Sequence, residues 1–158
     1  MRQNDVIPEA TQTAKKQLAA GDISGAERLL SQQLQRTPQD RETHYYYCVC
    51  LRYLTRLSDA QGELETLLSR FPRFARGYQE LGYTFKALND QDKALSSFRT
   101  AVTLNDALLG SWRALVELTS VTYRPTIYEE AVTQTQNLEG LPKALLQVRD
   151  WINEGRLA

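Results

Sequence analysis

His44 is the single histidine of the chain, so any histidine-based nucleophilic, proton-transfer or metal chemistry would have to be assembled around it. Cys48 and Cys50 follow on the same segment. They stand too close together to staple distant parts of the chain, and no second pair completes a four-ligand metal site. Glu129 and Glu130 are adjacent acids at the start of a helical pattern, where carboxylates favour the helix dipole whether or not they do chemistry. The phosphate-cradling G-x-x-x-x-G-K-[ST], the dinucleotide-binding G-x-G-x-x-G and the zinc-binding H-E-x-x-H are all missing from the sequence. Each remaining candidate has a structural reading: Cys48 as a small core residue, His44 as an aromatic packing residue, and the two glutamates as a solvated first turn. The residues thus point away from an enzyme and call for no cofactor and no metal.

Composition narrows the remaining classes. The 158 residues carry 19 Lys+Arg against 19 Asp+Glu, which gives no overall electrostatic drive towards nucleic acid. A hydrophobic fraction of 42% is too high for a disordered chain. No run of 18 apolar residues exists, and the first thirty residues lack the basic start, apolar block and cleavage site of a secretory signal. The expectation is a cytoplasmic protein with no membrane partner, in a compartment that keeps its cysteines reduced.

What must position these residues is a repeat. Ala26, Ala60 and Ala94 are 34 residues apart, Pro38 and Pro72 keep the same spacing, and Asp106 holds the third proline position. Two residues before each alanine stand Ser24, Ser58 and Asp92, read here as helix N-caps. Four residues after each alanine come Leu30, Leu64 and Phe98. A small residue lets two helices approach closely while the larger apolar ones fill the grooves beside it, and the proline ends the second helix. The pattern predicts helices over 7–20, 23–36, 40–54, 58–70, 75–88, 91–104, 108–121, 125–137 and 141–155.

Tyr78, Leu81, Gly82 and Phe85, followed by Ala94 and Phe98, resemble the tetratricopeptide repeat. The second unit fits through His44, Tyr47, Cys48, Leu51, Ala60, Leu64, Leu67 and Pro72, and the fourth begins with Trp112, Leu115 and Val116. The resemblance covers about residues 7–121. It implies an all-α fold, a right-handed α-solenoid of antiparallel helix pairs in one superhelical domain. Its repeats are 7–40, 41–74, 75–108 and 109–140, with a terminal helix at 141–155.

The family resemblance further implies a non-catalytic scaffold that binds a protein or peptide segment in a concave groove lined by the leading helix of each pair. Mapped onto this chain, the inward positions are Thr11, Lys15 and Leu18, then Tyr45, Val49, Arg52 and Tyr53. Arg76, Gln79, Tyr83 and Lys86 follow, then Arg113 and Glu117. Tyrosine and arginine are the residue types that most often anchor protein interfaces. The bases of this face outnumber its acids, Glu42 and Glu117, so a mildly basic groove is expected within a neutral protein. The Lys-Asn-Asn pattern of the family's carboxylate-clamping chaperone adaptors is missing: Thr11, Lys15 and Tyr46 stand at the corresponding positions.

The end of the chain offers a second reading. Residues 101–118 and the tail INEGRLA resemble the repeat region that precedes the catalytic domain of bacterial tetratricopeptide sulfotransferases, which would make the chain an accessory segment of a larger transferase. Gly155 occupies the place that Gly21 holds in the first unit, so 141–155 is either a solvating C-terminal cap or the first helix of a fifth repeat at whose turn the array breaks off, and the exposed-looking Trp151 and Leu157 favour the second. The apolar stripe of Leu145, Val148, Trp151 and Ile152, with Leu157, would then be surface available for another helix or for self-association.

Overall fold

A computed structural model describes residues 7–122 and 124–156, residue 122 by its backbone alone. Among the described residues every regular element is an α-helix. In chain order these are α1 (Glu9–Ala19), α2 (Ile23–Arg36), α3 (Arg41–Tyr53), α4 (Leu57–Arg70), α5 (Ala75–Ala87), α6 (Gln91–Leu104), α7 (Leu109–Thr122), α8 (Pro125–Glu139) and α9 (Lys143–Asn153). The chain divides into two compact units, residues 1–72 and 73–158. In the first, α1 packs on α2, α2 on α3 and α3 on α4; in the second, α5 packs on α6, α6 on α7 and α7 on α8.

The turn inside each hairpin repeats as faithfully as the alanines do. Gly21, Thr55 and Asn89, 34 residues apart, all take a left-handed backbone with φ of 85°, 60° and 61°. Each closes its leading helix in the same way. The next amide donates back to an earlier carbonyl, from Asp22 to Gln17, from Arg56 to Leu51 and from Asp90 to Phe85, so the otherwise orphaned last carbonyls are satisfied. Gly155, with φ of 70°, ends α9 likewise, its successor Arg156 donating to the Trp151 carbonyl.

The caps correct the sequence reading. Asp22 and Asp90 begin α2 and α6, accepting from the amides of Gly25 at 2.9 Å and Lys93 at 3.2 Å. Arg56 begins α4 without a side-chain cap. Ser24, Ser58 and Asp92 lie within the first turn instead. The closing bond delivers the chain into the second helix directly after the left-handed residue, so capping falls to the position immediately following it.

The small-residue code fills the core as expected. Ala26, Ala60, Ala94 and Ala131 are fully buried, as are Leu30, Leu64 and Phe98. The late alanine of the fourth pair therefore does the same packing as the in-phase three. Helices α5 and α6 approach closely, and a Cβ added to Gly82 would lie 2.8 Å from the Phe98 ring. His44 and Cys48 are buried in α3, and the His44 ring meets Glu63 Oε2 through Nε2 at 2.6 Å, tying α3 to α4. Among the described residues no helix is long and apolar enough to cross a membrane.

Candidate functional site

In the first unit, the leading helices α1 and α3 carry the expected face. Lys15 places its ammonium 5.1 Å from the centroid of the Tyr46 ring, and the Arg52 guanidinium lies 4.5 Å from the centroid of Tyr53. Both are cation–π distances. Tyr53 is 58% exposed, whereas Val49 and Arg52 are half-buried. Tyr45 is different: it is only 8% exposed and meets Tyr46 edge to face at 5.0 Å, so its ring works as packing. Thr11 also leaves the surface. Its hydroxyl is fully buried 2.6 Å from that of Thr43, which in turn donates to the Asp40 carboxylate, joining α1 to the cap of α3.

In the second unit, the predicted bases of α5 and α7 each face an acid. Arg76 donates to Glu154 at 2.8 Å, Lys86 to Glu117 at 2.5 Å, and Arg113 grips Glu139 through Nε and Nη2 at 3.0 and 2.7 Å. Gln79 accepts from the Ser111 hydroxyl at 2.9 Å. Tyr83 packs against Phe98 with ring centroids 5.0 Å apart. Its hydroxyl sits where Gly110 offers no side chain: a Cβ there would be 2.5 Å away. The basic face expected from the count of arginines and lysines is thus electrically matched in this unit.

Sequence reasoning misses the partners that do the matching. Glu139 and Glu154 lie at the ends of α8 and α9, outside the repeat positions that define a groove. Gly110 and the Asn105–Asp106 turn are equally silent as site residues. The turn is polar and organised: Asn105 is buried, its carbonyl oxygen Oδ1 accepts the Ala107 amide at 3.0 Å, and the Trp112 indole donates to the Asp106 backbone carbonyl at 2.9 Å. The guanidinium of Arg149 beside Asp106 holds that carboxyl below the usual carboxylate range, against the opposing effect of its partial burial.

Paired helices with a left-handed turn every 34 residues, alanines at each crossing and Gly82 against Phe98 form one repeated unit, and the family comparison names it. The sequence profile of the tetratricopeptide repeat matches residues 17–81. Solved structures extend this fold over most of the chain. TTC0263, a thermophilic tetratricopeptide protein of Thermus thermophilus, superposes with a TM-score of 0.74 at 21% identity, over 93% of this chain and 82% of that one. MamA from Desulfovibrio magneticus RS-1 superposes with a TM-score of 0.71 at 22% identity, over 87% and 77%. A further MamA structure gives 0.68 at 19%, over 94% and 85%. At such identities the likeness is one of fold. No curated protein sequence matches the chain.

Proposed function

We propose that this tetratricopeptide array is a non-catalytic interaction module that captures an extended or helical protein segment on its leading-helix face, with the α1/α3 surface of the first unit as the principal contact. The observation that carries the reading is the Arg52–Tyr53 pair. An exposed tyrosine with a guanidinium stacked on it offers a large, pre-ordered contact area together with directional donors. Tyr46 under Lys15 extends the same strip one helix further, and half-buried Val49 lies between them in the α3 spacing. A partner presenting an aromatic or apolar anchor beside a carboxylate complements this surface. His44, the residue on which histidine chemistry would depend, is engaged inside the fold with Glu63, which agrees with a binding role.

Affinity capture from a lysate tests the reading. Wild-type protein, the double variant Arg52→Glu with Tyr53→Ala, and the control Arg28→Glu on the exposed side of α2 would be compared as baits. A protein retained by wild type and control but lost from the double variant supports the assigned face. Capture unchanged by the double variant would sink it.

A further inference from the structure

Helix α9 lies against the start of α5 and the α6–α7 turn of its own unit, and it does so by its polar side. Arg149 pairs with Asp106, with Nε at 3.0 Å and Nη2 at 2.5 Å. Asp150 accepts from Asn105 at 2.7 Å, and Asn153 donates to both Asn105 and Asp106 at 2.9 Å. Glu154, at the end of the helix, accepts from Arg76 of α5 on Oε1 and lies within ion-pair distance of Arg156 on Oε2, at 2.9 Å, and its side chain is only 10% exposed. Between α9 and the starts of α5 and α7 remains a cleft of about 380 Å³ lined by Gln79, Leu108, Gly110, Leu146 and Asp150. The opposite face of α9 is apolar and turned to solvent, with Leu145 54% and Ile152 56% exposed and Val148 and Trp151 beside them.

This arrangement inverts the usual one, in which an amphipathic helix buries its apolar stripe and leaves its charges in water. No residue of α9 is buried. Its attachment rests on ion pairs and hydrogen bonds, of which Arg149–Asp106 is partly exposed and Arg76–Glu154 largely buried, and each is replaceable by an equivalent contact from another chain. The contacts also define what the face recognises. Asn105 and Arg76 take the carboxylates of positions 150 and 154 respectively, four residues apart on one side of a helix, while Asp106 takes the guanidinium that immediately precedes the first of them.

We propose that the surface formed by the start of α5 and the Asn105–Asp106 turn is a binding site for a helix that carries two carboxylates four residues apart, and that α9 is its resident occupant, which a partner helix of that chemistry must displace. The inference goes beyond the proposed function, which concerns the α1/α3 face, and the two stand on different residues, so either can fail alone.

The probe is a fluorescein-labelled peptide of residues 141–156, which bears the full polar pattern. It is titrated by anisotropy into the full-length chain and into the full-length double variant Asp150→Lys with Glu154→Lys, whose α9 is repelled from Arg76. Expected is binding at least about tenfold tighter to the variant than to wild type, because the resident helix no longer competes. Arg76→Glu added to the variant should reduce that binding by about tenfold or more. The milder pair Asp150→Asn and Glu154→Gln, nearly unchanged in volume, should bind the probe more tightly than wild type even if the lysine variant folds poorly. Equal binding by wild type and both released variants, no binding by any of them, or indifference to Arg76→Glu would overturn the proposal. So would a wild-type dimer in sedimentation that the lysine pair dissociates, since the occupant would then be the α9 of a second copy.

Discussion

Arg76, in the first turn of α5, donates to Glu154 at the end of α9 across 78 residues of chain, at 2.8 Å and with both side chains largely buried. The sequence pattern assigns Arg76 to a groove where it would await a partner's carboxylate. The fold supplies that carboxylate from within.

Acid should release Arg149 from Asp106. The Asp106 carboxyl is held below its ordinary range chiefly by its hydrogen bonds from Arg149. A depressed carboxylate contributes stability that is fully present above its unfolded value, about pH 4, and is lost as the pH falls through its lower folded value. Protonation there removes the acceptor that Arg149 grips. The Arg149 Nε–Hε cross-peak, followed by NMR, should be constant from pH 7 to about 5 and move towards free arginine below about 4. Asp106→Asn should show the free position already at pH 7.

Much of this architecture is legible in the residues. The alanine, glycine and proline period places α2 and α6 to the residue and the other helices within about two, because steric fit at each crossing admits few residue types. The caps are misread from sequence because Ser24, Ser58 and Asp92 are good capping residues by type, while the left-handed closure at Gly21, Thr55 and Asn89 decides where the next helix begins. The site is legible in part. Arg52 and Tyr53 follow from the repeat phase, but the pairing of Arg76, Lys86 and Arg113 does not, since it depends on carboxylates brought from 26 to 78 residues away. Nor does helical periodicity say which face of α9 docks, because an apolar stripe is ordinarily the buried one.

Thr43→Val should destabilise the first unit by about 1–3 kcal/mol in urea denaturation. The valine keeps the shape but cuts the buried relay from Thr11 through Thr43 to Asp40, leaving the Thr11 hydroxyl without its acceptor. Thr43→Ser retains the hydroxyl and should recover most of the loss. Equal stability of the valine and serine variants would show that the relay contributes nothing.

Gly82→Ala sets two effects against each other. Alanine is favoured over glycine in a helix interior by about 1 kcal/mol. Its methyl group would meet the fully buried Phe98 ring at 2.8 Å, and overpacking a tight core costs about 1–3 kcal/mol. Phe98 is also packed against Tyr83, so it has little freedom to retreat. The steric cost should win, lowering the stability of the second unit in urea denaturation, and the paired change Phe98→Leu should relieve the part due to contact.

Thr55 offers the opposite case, a substitution that should stabilise. It is the β-branched member of the left-handed series, and its φ of 60° brings Cβ against the following carbonyl at a cost of about 1–2 kcal/mol. Its hydroxyl bonds the adjacent Leu54 carbonyl at 2.7 Å, a contact that does not depend on any other helix. Glycine removes the steric strain but adds freedom to the unfolded chain worth about 0.5–1 kcal/mol. Thr55→Gly should therefore raise stability by about 0.5–1 kcal/mol, the difference of those two effects. Asn89→Gly should gain less, because asparagine already tolerates the left-handed region. Thermal unfolding of the two variants beside wild type checks both, and a loss of stability in Thr55→Gly would show that the threonine is not strained in the turn it occupies.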